Sequence, residues 1–337
     1  MQRDHCGRLL TVGSRQPVVS LAREFGEFFW LHIPKCGSTF ETTLYLWGCP
    51  ATALIAPNVV ALEEASQLSS WQSEMLKRLR NAFTNHPEQD TVWCDAVDRT
   101  RVPHQPFDEK YRGKVMTMIR DPGRRIVSAF TNHLHAFGLG KERTEAMHQK
   151  VDAILAADKN GKGQLEAIQT FQNWPGVQGC SVKMLTGAGC ATNKEPKGGY
   201  RWKQRVINAT NRLLDLSQTA FFGITDLYNV SICLFHAMLG GDLWDVELHN
   251  VHPTTNRTQT NSADQLRELP VEPGGPPLWD FEDYNISDPF DQQLYDAAVP
   301  VFNQRILQNR AYMDSCCVVR KCTAYMDLVV QQQTSMG

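Results

Sequence analysis

Three short apolar runs in this chain are each followed directly by a segment that carries the signals of a helix. The runs have the length and composition of buried β-strands and cover residues 27–33, 114–119 and 220–224. Ser38 and Asp121 are candidate N-caps of the first two helices, and the glycine pair at 240–241 ends the third. Strands that alternate with helices in this way predict an α/β fold in which helices flank a parallel central sheet.

The composition permits a large folded core and gives no general attraction for polyanions. Apolar residues make up 42% of the 337 residues, and 34 Lys and Arg against 36 Asp and Glu leave a formal charge of −2. We therefore expect no nucleic acid as a partner. We expect an N-terminal extension over residues 1–25, one domain over 26–315 and a cysteine-containing tail over 316–337, with Pro300 interrupting a C-terminal helix.

The junction after the first run has the chemistry of an anion-binding site. The loop of residues 34–37 carries Lys35 and one glycine, and it leads directly to the hydroxyls of Ser38 and Thr39. At such a turn, backbone N–H groups and the positive end of the helix dipole point to one place. The loop does not match the GxxxxGK[ST] phosphate loop, because its lysine precedes the glycine. An ordinary capped turn with an exposed lysine fits the same residues.

The junction after the second run concentrates positive charge at the start of a helix. Arg120 ends the strand, and Arg124, Arg125 and Ser128 follow on the first turns of the helix. Cations at a helix N-terminus oppose the macrodipole at a cost of about 0.3–1 kcal/mol each. A compensating negative charge is therefore expected, either a phosphate held by the arginines and the serine or an acidic side chain nearby.

Both junctions carry motifs that resemble those of a known enzyme family. Residues 32–39, HIPKCGST, resemble the 5′-phosphosulfate loop of sulfotransferases that use 3′-phosphoadenosine 5′-phosphosulfate (PAPS), and residues 119–130, IRDPGRRIVSAF, resemble their 3′-phosphate motif. The order of the motifs is similar to that in Golgi carbohydrate sulfotransferases, among them the heparan sulfate 2-O- and 6-O-sulfotransferases. With further similar segments the resemblance spans residues 27–241. Cys36 and Ser38 stand where Thr and Gly are frequent in that family, which leaves the acceptor substrate open.

The resemblance implies a P-loop-like three-layer fold, PAPS as co-substrate and no metal ion. It assigns Lys35 to the phosphate that leaves when the sulfuryl group is transferred. The other implied cofactor contacts are Cys36, Gly37, Ser38 and Thr39 around the 5′-phosphosulfate, Arg120 and Ser128 on the 3′-phosphate, Arg125 as a weaker candidate there, and Arg257 in a late loop. The implied acceptor is a carbohydrate hydroxyl, while small alcohols, phenols and peptide tyrosine stay open.

A hydroxyl acceptor also needs a general base. His104 is the candidate, because it lies in a loop sixteen residues before Arg120 and imidazole titrates near neutrality. The related 2-O-sulfotransferases place a catalytic histidine in the comparable stretch, although a solvated loop histidine also fits this position. Other sulfotransferases use a glutamate downstream of the first loop, so Glu63 and Glu64 are the alternatives.

Two other functions fit the same residues. A P-loop phosphoryl transferase would require ATP and a carboxylate that holds Mg²⁺. A sulfotransferase-like glycan-binding protein would keep the fold and the glycan site without transferring sulfate. The first alternative predicts activity that depends on a metal, and the second predicts no transfer at all.

The sequence favours the secretory pathway and leaves a cytoplasmic location open. Four sequons begin at Asn208, Asn229, Asn256 and Asn285, and ten cysteines permit disulfides whose pairing the sequence does not give. These features favour a glycoprotein of the Golgi lumen or secretory pathway. The first 23 residues contain no apolar stretch as long as a signal or a membrane span. We therefore expect any membrane anchor to be absent from this sequence, and a cytoplasmic location and the oligomeric state stay open.

Overall fold

The computed structural model of the protein describes residues 28–37, 40, 43–44, 104–132, 134, 141–157, 163–192, 199–241, 243, 247, 286–320 and 322–336. Three strands in these ranges form a parallel sheet in the order β1 (Phe29–Leu31), β2 (Val115–Ile119) and β3 (Thr219–Ile224). The central strand β2 is buried along its whole length, as expected for a parallel strand that is covered on both faces. The structure thus confirms an α/β fold with a parallel sheet, although β1 is shorter than the predicted run.

The helices predicted after the second and third strands are present, while most of the helix predicted from Ser38 lies outside the described residues. In chain order they are α1 (Pro122–Thr131), α2 (Lys141–Ala157), α3 (Gly163–Gln172), α4 (Cys180–Leu185), α5 (Gly199–Leu214), α6 (Tyr228–Leu239), α7 (Pro289–Gln308), α8 (Arg310–Arg320) and α9 (Thr323–Met336). Short 3₁₀ turns cover Glu109–Tyr111 and Thr225–Leu227. Because α1 follows β2 directly and α6 follows β3 after one turn, both helices begin at the carboxyl edge of the sheet.

Local signals in the sequence set the ends of these two helices. Asp121 caps α1, since its carboxylate accepts a hydrogen bond from the backbone N–H of Arg124 at 2.9 Å, and Pro122 occupies the first helical position. Gly240 ends α6 with a φ of 77°, a conformation that glycine adopts at little cost. Both predicted helix boundaries are confirmed.

Two groups of buried apolar side chains form the core. The larger group covers the sheet and includes Leu31, Phe221 and Phe302. The smaller group joins α1, α2 and α3 and includes Phe130 and Phe171, whose rings meet edge to face with centroids 5.8 Å apart. The helix α1, which carries Arg124 and Arg125, therefore packs on an apolar layer of its own.

The C-terminal region differs from the sequence prediction. Pro300 does not interrupt a helix, because α7 continues through it. A proline in a helix interior costs about 3 kcal/mol, and the fully buried side chains of Ala298, Phe302 and Ile306 on both sides of it offset that cost. The expected tail from residue 316 is the end of α8 followed by α9.

Disulfides tie this C-terminal region to the domain. The bridges among the described residues are Cys180–Cys190, Cys233–Cys316 and Cys317–Cys322. The Cys233–Cys316 bridge joins α6 to α8 across 83 residues of sequence, so it removes conformational entropy from the unfolded chain. The sulfur atoms of Cys233, Cys317 and Cys322 lie within 4.8 Å of one another, but each belongs to a bridge and is not a thiolate ligand.

A buried cation holds α1 against α7. The Arg125 guanidinium is 2% exposed and lies 3.1 Å from the carboxylate of Asp288 and 3.5 Å from that of Asp291. It also donates to the backbone carbonyl of Val177 at 2.5 Å. A buried charge needs such partners, because desolvation disfavours it strongly when it is unpaired. Arg125 is therefore a structural residue, which replaces the prediction that it contacts a phosphate.

The same two carboxylates also anchor the start of α4. Asp288 accepts from the backbone N–H of Gly179 at 2.7 Å, and Asp291 accepts from those of Ser181 and Val182, both at 3.0 Å. Burial and the neighbouring Asp291 raise the pKa of Asp288 to about 6, against the opposing effect of Arg125. One charged cluster thus connects α1, α4 and α7.

Replacing Arg125 with leucine should lower the free energy of unfolding by about 3–5 kcal/mol, because two carboxylates stay buried without their cation. The measurement is urea unfolding followed by tryptophan fluorescence. Arg310→Leu is the matched control, since Arg310 and Asp314 form an ion pair with 55% and 52% of their side chains exposed. Such a pair contributes less than about 1 kcal/mol. Equal losses in the two variants would contradict the stabilising role of the buried cluster.

Candidate functional site

The loop after β1 forms a tight turn at the edge of the sheet. Lys35 and Gly37 both have positive φ, 63° and 77°. A side chain at Gly37 would bring its Cβ to 3.1 Å from Thr225 Oγ1 and 3.4 Å from Met118 Cγ, so the turn requires glycine. For a lysine the left-handed conformation costs about 1–2 kcal/mol. A strained residue of this kind is a candidate for a functional role.

The structure places Arg120 beside this loop. Arg120 follows β2, and its guanidinium donates to the backbone carbonyl of Lys35 at 3.4 Å across 85 residues of sequence. Lys35 is half-buried, and burial together with the nearby Arg120 lowers the pKa of its ammonium group to about 8. Folding therefore brings the two cations of separate sequence motifs to one place, where a bound anion would stabilise both.

Asp226 supplies negative charge at this edge. Its carboxylate lies 3.5 Å from Arg120 and 3.5 Å from Arg124, and it accepts from the backbone N–H of Asp121 at 3.0 Å. The acidic neighbour considered as a counter-charge for the arginines is therefore present. Sequence analysis missed Asp226 as a site residue, although its position directly after the β3 run was a signal, because parallel strands end at the same edge.

The start of α1 presents two different faces. Arg124 and Ser128 are four residues apart and so lie on the same side of the helix, and both are half-buried. The Ser128 carbonyl accepts from Thr131 Oγ1 at 3.5 Å, a contact that does not use the serine hydroxyl. Arg125 lies on the side of α1 that faces α7. The site face of α1 therefore carries Arg124 and Ser128.

His104 lies against the end of β1. Its Nδ1 is 2.7 Å from the carbonyl oxygen of His32, and the centroids of the two imidazole rings are 4.4 Å apart. Because a carbonyl only accepts, Nδ1 carries the proton of the neutral ring, and Nε2 is the nitrogen with basic character. Burial lowers the pKa of His104, so the imidazole is neutral at neutral pH.

Cys36 contributes less to the site than predicted. Its side chain is fully buried, and burial raises the pKa of the thiol to about 12. Its backbone N–H donates to the carbonyl of Ile33 at 3.1 Å. Both groups are thus engaged inside the protein, so we remove Cys36 from the predicted anion contacts.

Several predicted residues lie outside the described part of the chain. These are Ser38, Thr39, Glu63, Glu64 and Arg257. Apart from Cys36 and Arg125, whose side chains are buried, the described members of the predicted site are Lys35, Gly37, His104, Arg120 and Ser128. The structure brings Lys35, Gly37 and Arg120 together at the carboxyl edge of the sheet and sets His104 against His32 at the end of β1. Ser128 lies further along α1, and within the described ranges no hydrogen bond joins it to these residues.

This arrangement is suited to a small anion. Arg120 and Arg124 pair with the carboxylate of Asp226, and Arg120 also lies close enough to Lys35 to lower the pKa of its ammonium. Ligands of open parallel sheets bind outside the carboxyl ends of the strands. Comparison with protein-family models, with curated proteins and with solved structures gives no match to the chain.

Replacing Asp226 with asparagine should make inorganic phosphate bind about tenfold more tightly, a change of about 1.4 kcal/mol. The amide oxygen keeps an acceptor for the Asp121 N–H, while the charge beside the arginines is lost. The measurement is the rise of the thermal unfolding midpoint with phosphate concentration. Asp314→Asn, which removes an exposed carboxylate near Arg310, should respond like the parent protein. An unchanged phosphate response in Asp226→Asn would show that Asp226 does not compete with anions at this site.

Proposed function

We propose that the chain is a PAPS-dependent sulfotransferase that transfers a sulfuryl group to an acceptor hydroxyl. The observation that carries this proposal is the contact between the Lys35 loop and Arg120, because these residues belong to the two motifs that resemble the 5′ and 3′ halves of a PAPS site. The acceptor we propose is a carbohydrate hydroxyl, from the resemblance of the motifs alone. The fold in this proposal is the P-loop-like three-layer arrangement.

Lys35 is proposed to stabilise the leaving phosphate. In the proposed reaction the bond between sulfur and the bridging phosphate oxygen breaks as a bond forms between sulfur and the acceptor oxygen. Negative charge develops on the departing phosphate, and a fixed cation there lowers the barrier. Burial and the neighbouring Arg120 destabilise the charged form of Lys35, as its lowered pKa indicates. A bound phosphate would stabilise that charged form.

Arg120 and Ser128 are proposed to hold the 3′-phosphate. Arginine suits this role because its planar fork of donors matches phosphate oxygens. Asp226 already pairs with Arg120, so the phosphate would share this guanidinium with the carboxylate. Arg124, on the same helix face as Ser128, adds a further cation near the start of α1.

His104 is the proposed general base. Its Nδ1 donates to the carbonyl of His32. His32 is the first residue after β1 and stands two residues before the loop that carries Lys35. Nε2 would accept the proton of the acceptor hydroxyl as the new bond to sulfur forms. The lowered pKa of His104 keeps this nitrogen unprotonated and therefore basic at neutral pH.

The proposed location is the Golgi lumen or another part of the secretory pathway. Three disulfides join described residues, and disulfides persist in oxidising compartments. Across the described ranges, no helix combines the length and the apolar character that a membrane span requires. The sequons seen in the sequence add a second feature of secreted chains.

The decisive experiment is incubation of the purified protein with PAPS labelled in its sulfuryl group and a panel of glycans, phenols and tyrosine peptides. Transfer to a glycan in the presence of a metal chelator is the expected result. Lys35→Ala should retain the fold and lose most of the transfer. Transfer of phosphate from labelled ATP would instead support a phosphoryl transferase, and glycan binding without transfer would support a binding protein.

Replacing Arg120 with alanine should weaken the binding of 3′-phosphoadenosine 5′-phosphate about 10–100-fold, since a hydrogen bond to a charged group contributes about 1.5–3 kcal/mol. The affinity for adenosine 5′-phosphate should change much less, because that nucleotide lacks the 3′-phosphate. Isothermal titration calorimetry measures both constants. Arg143→Ala, on the exposed side of α2, is the control. Equal weakening of the two nucleotides would argue against a 3′-phosphate contact.

The pH profile of kcat/KM should be bell-shaped. The acid limb reports His104 and should lie below about pH 6.5, the ordinary value for histidine, because burial lowers the pKa of this imidazole. The alkaline limb reports Lys35, whose pKa is about 8 in the free protein. Above that pH the ammonium loses its proton and no longer binds the leaving phosphate.

Two substitutions separate these limbs. Lys35→Arg should move the alkaline limb to higher pH, because a guanidinium stays charged. His104→Asn should lower kcat by about 10²–10⁴-fold and remove the acid limb, whereas His148→Asn on α2 should leave the profile unchanged. A profile that keeps its acid limb in His104→Asn would require another base.

A further inference from the structure

Two of the four sequons lie in the described part of the chain, and their surroundings differ. Asn208 with Thr210 lies in the middle of α5, and Asn229 with Ser231 lies in the first turn of α6. Folding therefore places these two sequons in different surroundings.

Asn208 points to solvent. The buried face of α5 is formed by Val206, Ala209 and Leu213, while Asn208 is exposed. Its carboxamide oxygen accepts from Gln204 Nε2 at 3.0 Å, a bond between exposed side chains. An oligosaccharide on the amide nitrogen would thus replace only a weak surface contact and would extend away from the core.

The residue next to Asn208 adds a second reason. Ile207 is 51% exposed, one of few large apolar side chains with that much exposure in the described ranges. Exposed apolar area favours self-association. A sugar attached at Asn208 would lie beside Ile207 and shield it from other protein molecules.

The second sequon is partly buried by the fold. Ser231 is fully buried, and its hydroxyl donates to the Ile224 carbonyl at 2.9 Å and accepts from the Ile224 N–H at 2.8 Å. Asn229 is half-buried and stands three residues after Asp226. A glycan there would be attached three residues from Asp226, which pairs with the arginines of the candidate site.

We propose that Asn208 is an N-glycosylation site of this protein and that Asn229 is not. The proposal rests on the secretory location suggested above. In the reaction, the amide nitrogen of Asn208 forms a bond to the anomeric carbon of a lipid-linked oligosaccharide. The bond from that carbon to the lipid diphosphate breaks, the lipid diphosphate leaves, and the amide loses one proton. The occupied side chain remains on the solvent face of α5.

The test is occupancy at each site. The full chain is expressed in a eukaryotic host behind a cleavable secretion signal, so that the result does not depend on the native route of the protein. Secreted protein is deglycosylated enzymatically in ¹⁸O water, which marks each formerly occupied asparagine as labelled aspartate, and the peptides are read by mass spectrometry. We expect label at Asn208 in most molecules and little at Asn229.

Substitutions sharpen the result. Asn208→Gln and Thr210→Ala should each remove this glycan, Thr210→Ser should retain it, and Asn229→Gln should leave the mass of the attached glycan unchanged. Secreted protein without label at Asn208, or with equal label at Asn229, would overturn the proposal. The mapping of the unaltered chain decides the question even if a variant is not secreted. Sulfate transfer is measured separately, so failure of the proposed enzyme activity would not be confused with an unoccupied site.

Discussion

The position of α1 depends on a buried guanidinium. Arg125 lies between two carboxylates of α7, and the same carboxylates accept the first backbone N–H groups of α4. Desolvation of these charges is offset only when all three helices are in place. Since α1 begins at the end of β2, the cluster of Arg125, Asp288 and Asp291 also helps to fix the positions of Arg120 and Arg124 at the edge of the sheet. The geometry of the site edge thus depends on a charge buried on the other side of the same helix.

At the site edge, Lys35 has two features that each raise the free energy of the folded state. Lys35 adopts a left-handed backbone conformation, and its ammonium is half-buried next to a second cation, which lowers its pKa. Asp226 balances part of the charge through its contacts with two arginines. A nucleotide with phosphates at both ends would bring the further negative charge that these cations need. This balance of charges is the physical support for the proposed function.

The predictions from sequence were sound where the signal was local. The apolar runs identified all three strands, and Asp121 and Gly240 marked helix ends through their own hydrogen-bonding and backbone preferences. Predictions failed where packing decided. Pro300 was expected to break a helix that tertiary contacts preserve. Arg125 was named as a weaker candidate for a phosphate contact, whereas two aspartates more than 160 residues away hold it.

Sequence alone determined the order of the three described strands, the helices that follow the second and third of them, and the cationic residues at the two junctions. These are properties of adjacent residues. Only the tertiary structure decided which of these cations meet. It placed Arg120 on the Lys35 loop, put Asp226 between the arginines and set His104 on His32. It also exposed Asn208 and closed the sequon at Asn229. Such contacts join residues far apart in the chain, and no local preference encodes them, since they form only when the parallel strands align and the core excludes water.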